Sequence, residues 1–135
     1  MRYLVDANVL SEPTRPALSA KVVAWLSARE QDIVVDSIVL GELCAGVLVL
    51  PRGRKRAALE QWLDALAQTV DCLAWDADVA RRWGKLIADL KRKGPPLPLL
   101  DSMIAATALT HGLVVATRNT ADFKYAGARV FDPFA

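Results

Sequence analysis

Histidine and cysteine are nearly missing from this sequence, with one His and two Cys in 135 residues, and that scarcity removes several chemistries at once. Cys44 and Cys72 lack CxxC or Cys/His spacing and His111 stands alone, so neither a zinc site nor a disulfide framework is expected. Both cysteines lie inside apolar stretches and read as buried free thiols. The chain also lacks G-x-S-x-G, which fits chemistry that requires no Ser, Cys or His nucleophile. Long apolar runs are absent, none approaching the roughly 18 residues of a membrane-spanning helix. A strand pattern begins already at Tyr3, without the basic region, apolar stretch and cleavage site of a secretory signal, so the expected compartment is the cytoplasm. Charge of one sign is scarce as well. A net charge of +2 is too small to draw the whole molecule to a polyanion, so any nucleic-acid contact must come from local clusters.

What is present is apolar sequence in short runs. At 53% hydrophobic and 24% charged the chain is compact, and its length suits one core, so one domain is expected over residues 1–135. Strands are expected at Tyr3 to Val5, Ile33 to Val35, Cys72 to Trp75 and Leu113 to Ala116. Helical period marks Leu18 to Ala28, Ile38 to Leu50, Arg54 to Thr69, Ala77 to Lys93 and Ser102 to His111. Ser37 and Asp76 read as N-caps, and Gly94 and Gly112 as helix stops. Strands alternating with helices, in runs too uniformly apolar for a one-sided sheet, predict an α/β fold. Its centre would be a parallel sheet of about four to five strands flanked by helices.

Within this apolar sequence four acids stand out. Asp6 ends the first strand in YLVDANVL, and in an open α/β sheet ligands gather beyond the carboxyl ends of the strands. Glu42 interrupts SIVLGELCAGVLVL, a helix apolar around nearly its whole circumference and therefore expected to be buried. Asp101 opens the helix of PLLDSMIAATAL, and Asp122 follows the strand LVVA. Several carboxylates converging in a partly desolvated pocket repel one another and need basic side chains or a metal ion as partners. Arg118 is the only cation within these runs, and an all-oxygen donor set suits Mg²⁺ or Mn²⁺. Each acid also has a structural alternative: Asp101 as a helix cap, Asp6 as the start of a turn or short helix, Asp122 as a solvated loop residue.

The motifs VDANVLSE, GELCAG, LLDSMIAATAL and ATRNTADF, in this order, resemble the PIN-domain nucleases, in particular VapC-type toxins and their FitB-like subgroup. SEPTRP and VFDPF extend the resemblance over essentially the whole chain. It implies a single PIN domain and a Mg²⁺- or Mn²⁺-dependent endoribonuclease, the toxin of a type II toxin–antitoxin pair, held inactive by a cognate antitoxin. It also implies a homodimer, a toxin–antitoxin hetero-oligomer and operator DNA bound through the antitoxin. Asp6, Glu42, Asp101 and Asp122 match the family's catalytic, metal-binding acids, while Asn8, Thr117 and Asn119 match polar positions that support them. Ala7 departs from the family's usual Asp-Thr-Asn, which removes a hydroxyl beside the metal. Asp36 is a further departure, either a fifth acid near the pocket or a second cap.

RNA must also be held. Arg54, Lys55 and Arg56 in PRGRKR, and LKRKG further on, are the local basic clusters; each is either a phosphate grip or a solvated face. Arg15 is a candidate phosphate contact or half of a salt bridge. Trp25, Trp62 and Trp83 follow helical spacing and read as packing rather than base stacking. Two rival classes remain. A phosphotransfer protein would need a lysine after the late strand, where Thr117-Arg118-Asn119 stands. A weakly catalytic or non-catalytic partner would act with its antitoxin on DNA.

Overall fold

The computed structural model describes residues 1–135. Five strands, β1 (Tyr3–Val5), β2 (Ile33–Asp36), β3 (Asp71–Leu73), β4 (Val114–Ala116) and β5 (Arg129–Phe131), form one sheet in the order β3-β2-β1-β4-β5. Every pairing is parallel, with Leu4 opposite both Val34 and Val115. Seven helices flank it: α1 (Ala7–Leu10), α2 (Ala20–Ala28), α3 (Ser37–Leu48), α4 (Arg54–Thr69), α5 (Ala77–Lys93), α6 (Leu99–His111) and α7 (Thr120–Tyr125). The central strands are continuous apolar runs because both faces are covered, and Leu4, Val5, Val34, Val35 and Val115 are fully buried. On one face Tyr3, Trp25 and Phe131 pack as an aromatic cluster with ring centroids 5.0 to 5.9 Å apart. The expectation that Trp25 packs rather than stacks bases agrees with this contact.

The differences from the sequence-based expectations have local causes. Asp36, not Ser37, caps α3: its side chain accepts from Ile38 N–H, and Ser37 is the first helical residue. β3 starts one residue earlier and ends two residues earlier than the apolar run CLAW suggests, because pairing with β2 sets its register, with Cys72 opposite Val35. Cys72 is exposed on this edge strand, and Cys44 is exposed on α3, so neither thiol is buried. α3 itself is not buried all round: Val39, Leu43 and Val47 form its inward stripe, while Gly41, Cys44, Ala45, Gly46 and Leu48 face outward. α6 starts earlier than Ser102, at Leu99 behind Pro98. Two short helices, α1 and α7, follow the motifs VDANVL and TRNTADF where no helical period is long enough to read.

Strand order reverses direction between β1 and β4, with β2 and β3 to one side and β5 to the other. Beyond the carboxyl ends of those two strands lies the natural crevice of such a sheet. Asp6 and Thr117 leave the sheet side by side there, and Asp6 N–H still donates to Ala116 O at 2.9 Å.

Candidate active site

Asp6 is 4% exposed and fixed by three hydrogen bonds. Its Oδ1 accepts Ala7 N–H at 2.8 Å, and its Oδ2 accepts the Thr117 hydroxyl at 2.7 Å and the Asn8 amide at 3.2 Å. Asp6 therefore starts a short helix at the carboxyl end of β1, beside the crevice. Thr117 in turn accepts Asn119 N–H at 3.0 Å, and Asn8 Oδ1 accepts Arg118 N–H at 3.2 Å. Asn8 and Thr117 thus contact Asp6 directly, while Asn119 touches only Thr117, through its backbone N–H. Burial raises the Asp6 pKa, and these hydrogen bonds pull it back down.

Glu42 is the sixth residue of α3, and its half-buried side chain carries a buried Oε1 with no hydrogen-bond partner. Burial raises its pKa, and the charges of Asp6, Asp101 and Asp36 push it further. Asp101 is the third residue of α6, where no side chain caps the helix, so its carboxylate is not the expected N-cap. Its pKa is pushed up to about 6 by burial, by the charges of Asp6 and Asp122, and by a hydrogen bond with the Asp122 carboxyl. Asp122 occupies the first turn of α7, not a loop, and is half-buried. The four acids therefore act on one another from four elements.

No cation answers them. The nearest in sequence, Arg118, lies over the Phe134 ring with its guanidinium carbon 3.6 Å from the ring centroid. No three carboxylates, histidines or cysteines stand close enough together to hold an ion as a closed cage. Mutual repulsion keeps uncompensated carboxylates apart, so an open set of this kind suits a hydrated hard cation bound partly through water. The partnerless Glu42 Oε1 fits that requirement, since an orphaned buried acceptor costs free energy that a cation or its water would remove.

The other anticipated residues fall elsewhere. Arg15 forms a salt bridge to Glu12 at 3.4 Å, the structural alternative of its two readings. Arg56 is held by Glu60 at 2.8 Å and by Leu50 O, while Arg54 and Lys55 are exposed at the start of α4. What the sequence did not reveal is how the first turn of α6 is held. Trp83 Nε1 donates to Ser102 Oγ at 3.0 Å, and Trp75 Nε1 donates to Met103 O at 3.1 Å, bracketing the two residues after Asp101. The paired indoles, 6.2 Å apart, were legible only as apolar positions.

Comparison with known proteins gives a concordant result. The family model described as PIN domain matches residues 3–128. Toxin FitB of Neisseria gonorrhoeae is 37% identical over 97% of this chain and 97% of its own length. VapC ribonuclease Y4jK of Sinorhizobium fredii is 34% identical over 97% of this chain and 96% of its own. The solved structure of FitAB bound to an IR36 DNA fragment superposes with a TM-score of 0.92 at 34% identity, covering 98% of this chain and 96% of that one.

Proposed function

Given that this chain belongs to the PIN domain family, we propose that it is the toxin of a toxin–antitoxin pair and a divalent-metal-dependent endoribonuclease. Asp6, Glu42, Asp101 and Asp122 are its catalytic acids and hold one or two Mg²⁺ or Mn²⁺ ions. The observation that carries this reading is the convergence of four acids without a cation, one with a buried oxygen that has no partner. The names of the relatives, a toxin and a ribonuclease, support it.

A bound divalent ion supplies charge neutralisation at the scissile phosphate and an activated water. The chain's own residues provide the rest. Thr117 and Asn8 fix both rotation and charge of the Asp6 carboxylate. Glu42 Oε1, already desolvated, gains an electropositive partner without losing a protein hydrogen bond. Asp101, whose pKa is pushed up to about 6, must lose its proton to serve as an anionic ligand, so metal affinity rises with pH through about 6. In-line attack at phosphorus leaves a 5′-phosphate and a 3′-hydroxyl on the RNA.

The partner follows from the same reading. The chain works with a cognate antitoxin, for which the groove of about 690 Å³ between α2 and α4 offers a seat with an apolar floor of Leu10, Leu26, Trp62 and Leu66 and charged Arg2, Glu30 and Asp71 beside it. The outward face of α3 is assigned to a second copy of the chain. The incubation of antitoxin-free protein with end-labelled RNA and Mg²⁺ or Mn²⁺ tests the activity. Cleavage to 5′-phosphate ends, abolished by EDTA and lowered at least about 100-fold in Asp6→Asn, is the expected outcome. A 2′,3′-cyclic phosphate product would contradict the scheme. A second reading, a weakly catalytic partner that acts with its antitoxin on DNA, is favoured by the DNA-bound state of the FitAB structure. Operator binding by the pair, measured beside RNA hydrolysis by the chain alone, separates the two.

A further inference from the structure

Asp36 has no exposed surface, yet it is not one of the four acids. It ends β2 and caps α3, its Oδ1 accepting Ile38 N–H at 2.9 Å. A serine would satisfy that N–H without burying a charge, and burial raises the Asp36 pKa, so the carboxylate here needs a second reason. Its other oxygen, Oδ2, accepts the hydroxyl of Thr107, which is fully buried in α6. This bond joins the two helices that carry Glu42 and Asp101. Glu42 lies six residues after Asp36, and Asp101 six residues before Thr107. At 1.5 Å per residue each acid sits about 9 Å along its helix from the bridge. The charge of Asp101 also raises the pKa of Glu42. A small change in the angle between α3 and α6 at the bridge therefore becomes a change in the spacing of the two acids.

We propose that Asp36 and Thr107 are a positioning pair, a buried bridge that fixes α3 against α6 and so sets the Glu42 to Asp101 spacing that divalent-ion binding requires. The proposal rests on the metal-dependent reading of the acid site. Neither residue touches the ion or the RNA.

Mn²⁺ binding to the purified chain, followed by electron paramagnetic resonance, tests it beside thermal melts. Thr107→Val removes the hydroxyl at nearly constant shape and is expected to weaken Mn²⁺ affinity by about 10- to 100-fold, as loss of an outer support does. Thr107→Ser, which keeps the hydroxyl, restores it. Asp36→Ser keeps an oxygen for Ile38 N–H but cannot span to Thr107. It also removes the buried charge, so it is expected to melt no lower than the parent while losing affinity on the same scale. Asp36→Asn, equal in length, recovers most of the loss. Wild-type affinity in Thr107→Val and Asp36→Ser would overturn the positioning role alone. Asp36→Asn as weak as Asp36→Ser would assign the effect to charge and overturn the bridge. Absence of saturable Mn²⁺ binding in the parent would remove the metal reading and this proposal with it.

Discussion

Asp101 is the most sensitive reporter of the site at the scale of single residues. Its folded-state pKa of about 6 stands above the ordinary value of 3.8, so the folded chain binds a proton there that the unfolded chain has already lost. Stability of the metal-free protein must then fall as pH rises through that window, with the full deficit present above about 6. We expect the melting temperature to drop by roughly 5 °C between about pH 5 and about pH 7.5. Asp101→Asn should flatten that profile, and Mg²⁺ should raise the upper end in the parent. Thr117→Val, which strips the 2.7 Å hydrogen bond from Asp6, is expected to weaken metal binding about 10-fold with the fold retained by circular dichroism. Glu42 stood out in the sequence because a carboxylate in the middle of an apolar run has no capping role, whereas Asp6, Asp101 and Asp122 each had a structural alternative and stood out only as a set. Asp36 was legible only as an ambiguity, because the Thr107 hydroxyl that explains it is distant in sequence.

Elements were legible in proportion to their length. α4 and α5 have the bounds the periodicity gives, Arg54–Thr69 and Ala77–Lys93, because four or more turns of alternating faces leave little freedom. β5, three residues at the sheet edge, carries too short a pattern; its place is set by pairing with β4 and by Thr117 N–H on Phe131 O. The Trp75 and Trp83 bracket acts at this scale too. Trp83→Phe leaves the packing but frees the buried Ser102 hydroxyl of its donor, and a loss of about 1 kcal/mol in urea unfolding is expected. At the start of α4, Arg54 and Lys55 project freely while Arg56 is already paired to Glu60. If these three residues hold RNA, neutralising all of them should lower the salt-dependence slope of binding by about 2, counting roughly 0.7 per phosphate contact on a single strand. An unchanged slope would clear the cluster of that role.

For the whole molecule, the sheet order places the site, and the outward face of α3 is the surface proposed above for a second copy. Leu48 is 50% exposed and Val49 81%, beside the small residues Gly41, Ala45 and Gly46 that let another helix approach closely. Double substitution of Leu48 and Val49 by lysine is expected to turn a dimer into a monomer by light scattering while leaving the melting curve cooperative. That face was read from the sequence as core, since an apolar residue left exposed and one covered by its own chain look alike in one sequence.

The bond between Asp6 and Thr117 spans 111 positions of the chain, and α7 with Asp122 follows still later. Synthesis proceeds at about 5–20 residues per second, so the first acid waits several seconds or longer for the threonine that orients it. Under the proposed function, a nascent chain lacks its complete acid site throughout that interval. On that reading the site is assembled only when the segment from residue 117 to residue 122 has left the ribosome, and the cognate antitoxin has that whole delay in which to meet the chain.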